Sequence, residues 1–324
     1  MHIHRRGLAW SLGLLSVLTL NALATAQTGP DLLVKPWDEG QRVDTSTDGL
    51  LNAQGHTREG DNDIRLSTYH AIGRWRVLPD NRATPRIGYD VQYWDVQTTD
   101  PALPRNLWDM TVGFAQPVAE VNGWFAAVTG AVGYAGNAPF SDSHAVYFAA
   151  NAIVGREFSK DRALLVALNY NGNRTFYPDV PIPGFAYADR ANKYLTYVIG
   201  LPYSSITYEP IKGFQIEGGY TLIDTLEAKL AYQFTEHWAV FGQYLDQLSP
   251  FHIDATQVDR RLFLHIHEVE LGVRYNPTKH IRISLSGGWS FGQEFSRGFD
   301  DRSLEPVRHL SDTPFGRLRF ELGF

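Results

Sequence analysis

The chain has no cysteine among its 324 residues. Disulfide staples, thiol nucleophiles, zinc–thiolate centres and a lipid-bearing N-terminal cysteine are therefore all excluded. Past residue 26 it also lacks any apolar run near the roughly 20 residues that a helical membrane span requires. Positive charge is not in surplus: 29 Lys and Arg stand against 35 Asp and Glu, a formal net charge of -6. A nucleic-acid partner usually demands a basic patch, so none is expected. The one Gly-x-Ser-x-Gly run, Gly288-Trp289-Ser290-Phe291-Gly292, lies within an alternating strand pattern and not at a strand-to-helix turn, so it makes no nucleophile elbow.

What is present begins with a leader. His4, Arg5 and Arg6 precede an apolar core from Gly7 to Leu20, and Ala24-Thr25-Ala26 supplies the small residues read by a signal peptidase. Residues 1–26 are thus expected to be a cleaved secretory signal, with a membrane-anchoring helix as the alternative. Residues 27–61 are polar and turn-rich (Gly29-Pro30, Asp48-Gly49, Gly60-Asp61). They predict a mostly irregular N-terminal segment on the periplasmic side.

From about Asn62 the pattern changes to a period of two, which places alternate side chains on opposite faces of a strand. Ile87, Tyr89, Val91 and Tyr93 oppose Arg86, Asp90 and Gln92. Trp108, Met110, Val112 and Phe114 oppose Asp109 and Thr111. Later runs repeat the scheme: Leu226, Leu230 and Tyr232 against Glu227 and Lys229, and Ile281, Ile283 and Leu285 against Arg282 and Ser284. Most runs last about 9–14 residues, the length of a tilted strand crossing a bilayer. Strands of soluble sandwiches are nearer 5–6 residues. Aromatics reach 13% although mean hydropathy is below zero. An apolar outer face around a polar interior reconciles the two.

The predicted fold is all-β: a single antiparallel transmembrane β-barrel over residues 62–324, competing with a soluble β protein. Fourteen strands are favoured, with twelve as the alternative. Lys193–Tyr208 counts as one run with a bulge or bend at Pro202, which cannot donate to a ladder. Trp94, Trp108, Trp238, Trp289, Tyr170 and Tyr275 fit an interfacial aromatic girdle. Phe158–Arg162, Thr235–His237 and Asn276–His280 suit tight periplasmic turns. Arg174–Ile182, Leu248–Arg261 and Glu294–Thr313 suit outward loops.

The last strand is the clearest. Leu318, Phe320, Leu322 and the terminal Phe324 share one face, and Arg317, Arg319 and Glu321 the other. This tail resembles the closing strand and C-terminal sorting signal of bacterial outer-membrane barrels. The resemblance implies that Phe320, Leu322 and Phe324 engage outer-membrane lipid and the barrel-assembly machinery. Pro181-Ile182-Pro183-Gly184-Phe185-Ala186-Tyr187, Gly200-Leu201-Pro202, Tyr208-Glu209-Pro210 and Gly287-Gly288-Trp289-Ser290-Phe291-Gly292 are similar to a family of predicted outer-membrane β-barrels known only as a domain of unknown function. That likeness covers roughly residues 160–324. It implies location and fold, and no substrate or catalytic residue.

Candidate function lies on the polar faces. Arg86, Asp90, Glu217, Glu227, Lys229, Glu268, Glu270, Arg274, Arg282, Arg317, Arg319 and Glu321 are expected to face a lumen. There they either line a water-filled path for small hydrophilic solutes or ions, or pair across the interior and close it. A porin-like passive channel without catalysis is the leading expectation. A closed barrel acting through its outer loops is the second, and an outer-membrane hydrolase a distant third. His265 and His267 share a face at a spacing that suits a metal. That face continues into Val269, Leu271 and Val273, so no metal and no cofactor are assigned. Asp300, Asp301 and Glu305 share a loop with Arg297, Arg302 and Arg308 and are expected to be self-paired.

Overall fold

The computed structural model describes Leu32 and residues 41–78, 84–222, 224–253, 256 and 259–324. The expected leader, residues 1–26, lies outside the described residues.

The first strands are β1 (Val43–Asn52), β2 (Gly55–His56), β3 (Asp63–Arg76), β4 (Arg86–Thr98), β5 (Asn106–Val121) and β6 (Trp124–Gly136). There follow β7 (Val146–Ser159), β8 (Arg162–Asn171), β9 (Ile182–Asn192), β10 (Leu195–Leu201), β11 (Tyr203–Ile211) and β12 (Phe214–Thr221). The chain ends with β13 (Thr225–Gln233), β14 (Trp238–Phe251), β15 (Arg261–Thr278), β16 (Ile281–Gly298), β17 (Glu305–His309) and β18 (Thr313–Gly323). Each strand from β3 to β16 pairs antiparallel with the next, and β16 pairs with β18. β18 then pairs with β1 (Thr45↔Leu322, Asn52↔Phe315), and β1 with β3 (Gly49↔Tyr69). The sheet is closed, so it has no free edge. The two-residue β2 joins β3 beyond β1, and β17 lies along β16 beyond β18. Sixteen strands therefore make the wall.

Sixteen replaces the expected fourteen, and the alternative of twelve, for two physical reasons. β1 lies inside the segment expected to be irregular. Its outward residues Thr45, Thr47 and Gly49 carry no apolar stripe, because the Tyr69 ring of β3 lies over Gly49, 3.6 Å from where a Cβ would stand. A neighbour supplies the greasy surface that the strand itself lacks. At Pro202 the chain reverses instead of bulging, splitting Lys193–Tyr208 into β10 and β11. The Ser204 hydroxyl clamps this reversal, accepting from the Gly200 amide (3.1 Å) and donating to its carbonyl (3.0 Å).

The alternation sorts side chains as a membrane barrel requires. Leu271 is 74% exposed on the outer surface, with Val112, Phe148, Val166, Leu285 and Leu318 also exposed. Trp289 (48%), Trp238 and Tyr275 stand among them, the last two 4.6 Å apart. Trp94 departs from the expected girdle. It points inward, 1% exposed, with its ring 5.1 Å from that of Phe251.

The wall is uneven. β15 and β16 are 18 residues each and β10 only seven. A tilted strand needs about 9–11 residues to cross hydrocarbon, so the tall side projects beyond it. Both described chain ends and the tight turns 160–161, 234–237 and 279–280 lie at one end of the barrel; 172–181, 252–253, 259–260 and 299–312 lie at the other.

Candidate functional site: the lumen

The inward side chains form a belt of charge, a cavity above it and a cap. In the belt, Arg317 Nη2 donates to Glu268 Oε2 at 2.5 Å and Nη1 to Glu270 Oε2 at 3.0 Å. Arg317 Nε lies 3.6 Å from Asp48, and Arg319 3.9 Å from the same carboxylate. His70 stands between two carboxylates, 3.0 Å from Asp90 and 3.7 Å from Asp48. Lys229 lies 3.7 Å from Glu217, Arg282 3.2 Å from Glu321, and Arg74 3.0 Å from Asp44. All lie on the polar faces of their strands, where facing lipid would cost several kcal/mol each.

The other expected residues sit in the same lining. Glu227 is buried and borders the cavity beside Arg319. The Arg274 guanidinium lies 5.7 Å from the Phe241 ring. Arg86 donates to the Leu32 carbonyl at 2.7 Å. Leu32 is itself fully buried, against Ala115, Ala127 and Ile153. Sequence reasoning missed Asp44, Asp48, His70 and Arg74. The first two lie in β1, which carried no visible pattern, and β3 has apolar residues on both faces.

Above the belt is a cavity of about 570 Å³. One wall is rich in uncharged hydrogen-bonding groups. Tyr147 donates to Asp109 (2.9 Å) and its hydroxyl accepts from that of Thr111 (2.6 Å). Asn151 donates to Thr129 at 2.7 Å and accepts from Asn169, which in turn accepts from Arg174. Val198, Leu201 and Pro202 at β10 and Leu245 of β14 add apolar lining. Among the described residues the lining holds six carboxylates (Asp48, Asp90, Asp109, Asp224, Glu227, Glu268) against three guanidinium groups (Arg174, Arg317, Arg319) and the His70 imidazole between Asp48 and Asp90. Carboxylates thus outnumber the groups that can carry positive charge by six to four.

The loop end is partly filled. Ile64, Leu66, Trp94, Leu107, Phe251, Leu262, Leu264 and Phe295 pack together inside the wall. The tip of β14 leans across the interior, where the His252 amide donates to the Ala135 carbonyl at 2.9 Å. Buried Arg261 ties the loops together, donating to the carbonyls of Phe299 (3.0 Å) and Arg174 (2.9 Å). The apolar cluster draws on β3 to β6 and on β14 to β16. The cavity passes beside it, reaching Thr175, Phe176 and Asp224.

No family model matches this chain, and no curated protein does. Solved structures similar to it include the toluene transporter TodX of Pseudomonas putida, at 8% identity and TM-score 0.40 over 87% of this chain and 90% of that one. An outer-membrane channel of Pseudomonas putida F1 is 11% identical, with TM-score 0.39 over 89% and 97%. The NanC porin is 9% identical, with TM-score 0.29 over 86% and 98%. Likenesses this distant carry no argument about what enters the lumen.

Of the acidic loop residues outside the wall, Asp300 pairs with Arg302 of its own loop as expected, whereas Glu305 pairs with Arg260 and Arg308 with Asp100 of other loops. The hydrogen bonds of Arg308 (2.5 Å) hold the Asp100 carboxyl below its usual range. Arg302 does the same to Asp300, whose side chain also caps the short turn Asp301–Ser303.

Proposed function

We propose that the chain is an outer-membrane channel that passes small hydrophilic solutes, cations in preference to anions, without a chemical step. One observation carries this reading: the cavity of about 570 Å³ inside a closed wall, lined by amide, hydroxyl and carboxylate groups together with apolar side chains and reaching Phe176 and Asp224 at the loop end. Ordinary core packing would fill such a space. The secretory leader and the even, closed set of antiparallel strands support a bacterial outer membrane as its site. The exposed faces of Phe320, Leu322 and Phe324 suit contact with lipid and with the assembly machinery. The acidic excess supports the cation preference, since a low-dielectric wall strengthens the field of each fixed charge.

A closed barrel acting through its loops is favoured by one specific feature, the apolar cluster around Phe251 and Trp94. Planar-bilayer recording on the purified, detergent-folded protein separates the two. Steady conductance steps with a cation-selective reversal potential are the expected result. A folded barrel that stays electrically silent, and passes no sugar in liposome swelling, sinks the channel and leaves the scaffold.

A further inference from the structure

On the outer surface of the tall wall, Asp246 of β14 meets His265 and His267 of β15. Asp246 Oδ1 lies 2.7 Å from His265 Nε2 and 3.4 Å from His267 Nδ1, and the three donor atoms all fall within 4.8 Å of one another. From this juxtaposition we infer a binding site for a borderline divalent transition cation such as Zn²⁺, held by two imidazoles and one carboxylate.

Several features separate it from a surface ion pair. Residues two apart on a strand are about 6.6 Å apart, yet the two imidazole centroids are 4.4 Å apart. The ladder with β16 shifts register between these two histidines. At that shift stands Gly292, with φ +56°. A Cβ there would come 2.9 Å from His267 Cδ2, so glycine makes room for the ring. Phe291 stacks on the same imidazole, centroids 5.6 Å apart, and the Tyr244 hydroxyl lies 3.2 Å from its Nδ1.

The charge count also favours a cation. A single imidazolium would satisfy one carboxylate; here two imidazoles converge on it. Glu294, cross-strand from His265, is engaged by His309 at 3.0 Å, and His309 is held in turn by Glu59. Tetrahedral zinc, with bonds of about 2.0–2.1 Å, places its ligand atoms about 3.4 Å apart. The His267–Asp246 separation already matches this, and the His265 contact needs to open by well under 1 Å. Nitrogen donors select Zn²⁺-like ions over Mg²⁺ and Ca²⁺, which prefer oxygen. A fourth position remains for water or an external donor. The ion would staple β14 to β15 beside the end that carries the cap. The site lies outside the lumen, so it stands or falls independently of the channel.

The test uses the processed full-length barrel, free of any tag and stripped with chelator in detergent. Calorimetric titration with ZnCl₂ and visible absorption with CoCl₂ are the readouts. Expected are one ion per barrel, displacement of Co²⁺ by Zn²⁺, and no competition from excess Mg²⁺. His265→Ala and His267→Ala should each weaken binding by about tenfold or more, whereas His309→Ala leaves it unchanged. Heat-dependent gel mobility confirms that each variant is folded, with His267→Gln as the size-conserving substitute. Absence of a Co²⁺ spectrum, equal affinity in the His265→Ala/His267→Ala double variant, or equal loss in His309→Ala would overturn the site.

Discussion

Replacing Arg317 by alanine tests the charged belt most directly. Its side chain is 9% exposed, and it faces Glu268 at 2.5 Å, Glu270 at 3.0 Å and Asp48 at 3.6 Å. Removing the guanidinium leaves carboxylates that are themselves only 8% and 2% exposed at Glu268 and Glu270. Breaking a buried pair from one side typically costs about 3–5 kcal/mol, because the orphaned charge keeps its desolvation penalty. Two stranded carboxylates put Arg317→Ala at the upper end of that range. The same pair in a wide, wet lumen would be worth about 1 kcal/mol or less. The measurement therefore reports how much water the belt admits. Equilibrium unfolding in guanidinium, followed by tryptophan fluorescence in micelles, gives the loss. Adding Glu268→Gln and Glu270→Gln to Arg317→Ala should restore most of it, because neutral amides no longer need the cation. A loss below about 1 kcal/mol, or a triple variant no more stable than the single one, would refute the reasoning that the belt is desolvated and pairwise coupled.

Two further predictions concern the cavity wall and the loops. A Cβ at Gly133 would stand 2.2 Å from Cζ of Tyr147, whose hydroxyl is pinned by Asp109 and Thr111. Gly133→Ala should therefore cost about 1–3 kcal/mol and lower conductance as the ring swings into the lumen; Tyr147→Ala in the same chain should relieve the cost, and a neutral Gly133→Ala would contradict the packing. The Asp100 carboxyl is depressed by Arg308, so the stability it contributes is complete above its unfolded value near 3.8 and is lost as pH falls through the lower folded value. Hydrogen exchange in residues 99–105 should rise only below about pH 4, and at higher pH in Arg308→Ala; opening of the wild-type loop near neutrality would refute the linkage.

Legibility followed the side-chain period. β4, β5, β16 and β18 declare themselves because each supplies its own lipid face, and that face also dictates which charges turn inward. β1 was illegible because Tyr69 covers it from the neighbouring strand. β10 and β11 merged because a reversal on a single proline leaves no turn cluster to see. The inward Trp94 was legible in principle: the period that sends Tyr89, Val91 and Tyr93 outward puts it with Asp90 and Gln92. Other features depend on register, which one sequence does not display. Asp246 meets the two histidines only because it pairs opposite His267. The three-carboxylate surroundings of Arg317 draw on β1 and β15, both remote in sequence from β18.

The same belt explains why the barrel closes in one register. A slip of one residue between β18 and β1 would turn Arg317, Arg319 and Glu321 toward lipid. Arginine at the bilayer midplane costs about 2–4 kcal/mol each, so that alternative is heavily disfavoured. A slip of two keeps the facing but carries Arg317 and Arg319 about 6.6 Å along the strand, beyond the reach of Asp48. Phe324 fixes the endpoint: its carbonyl accepts from the amides of Arg42 (2.6 Å) and Val43 (2.8 Å), and its amide donates to the Val43 carbonyl (3.0 Å). Alternation selects the parity of closure, ion pairing selects the register within that parity, and the terminal residue locks it. A polar interior that has to match β1 to β18 in this way is part of what folds the wall.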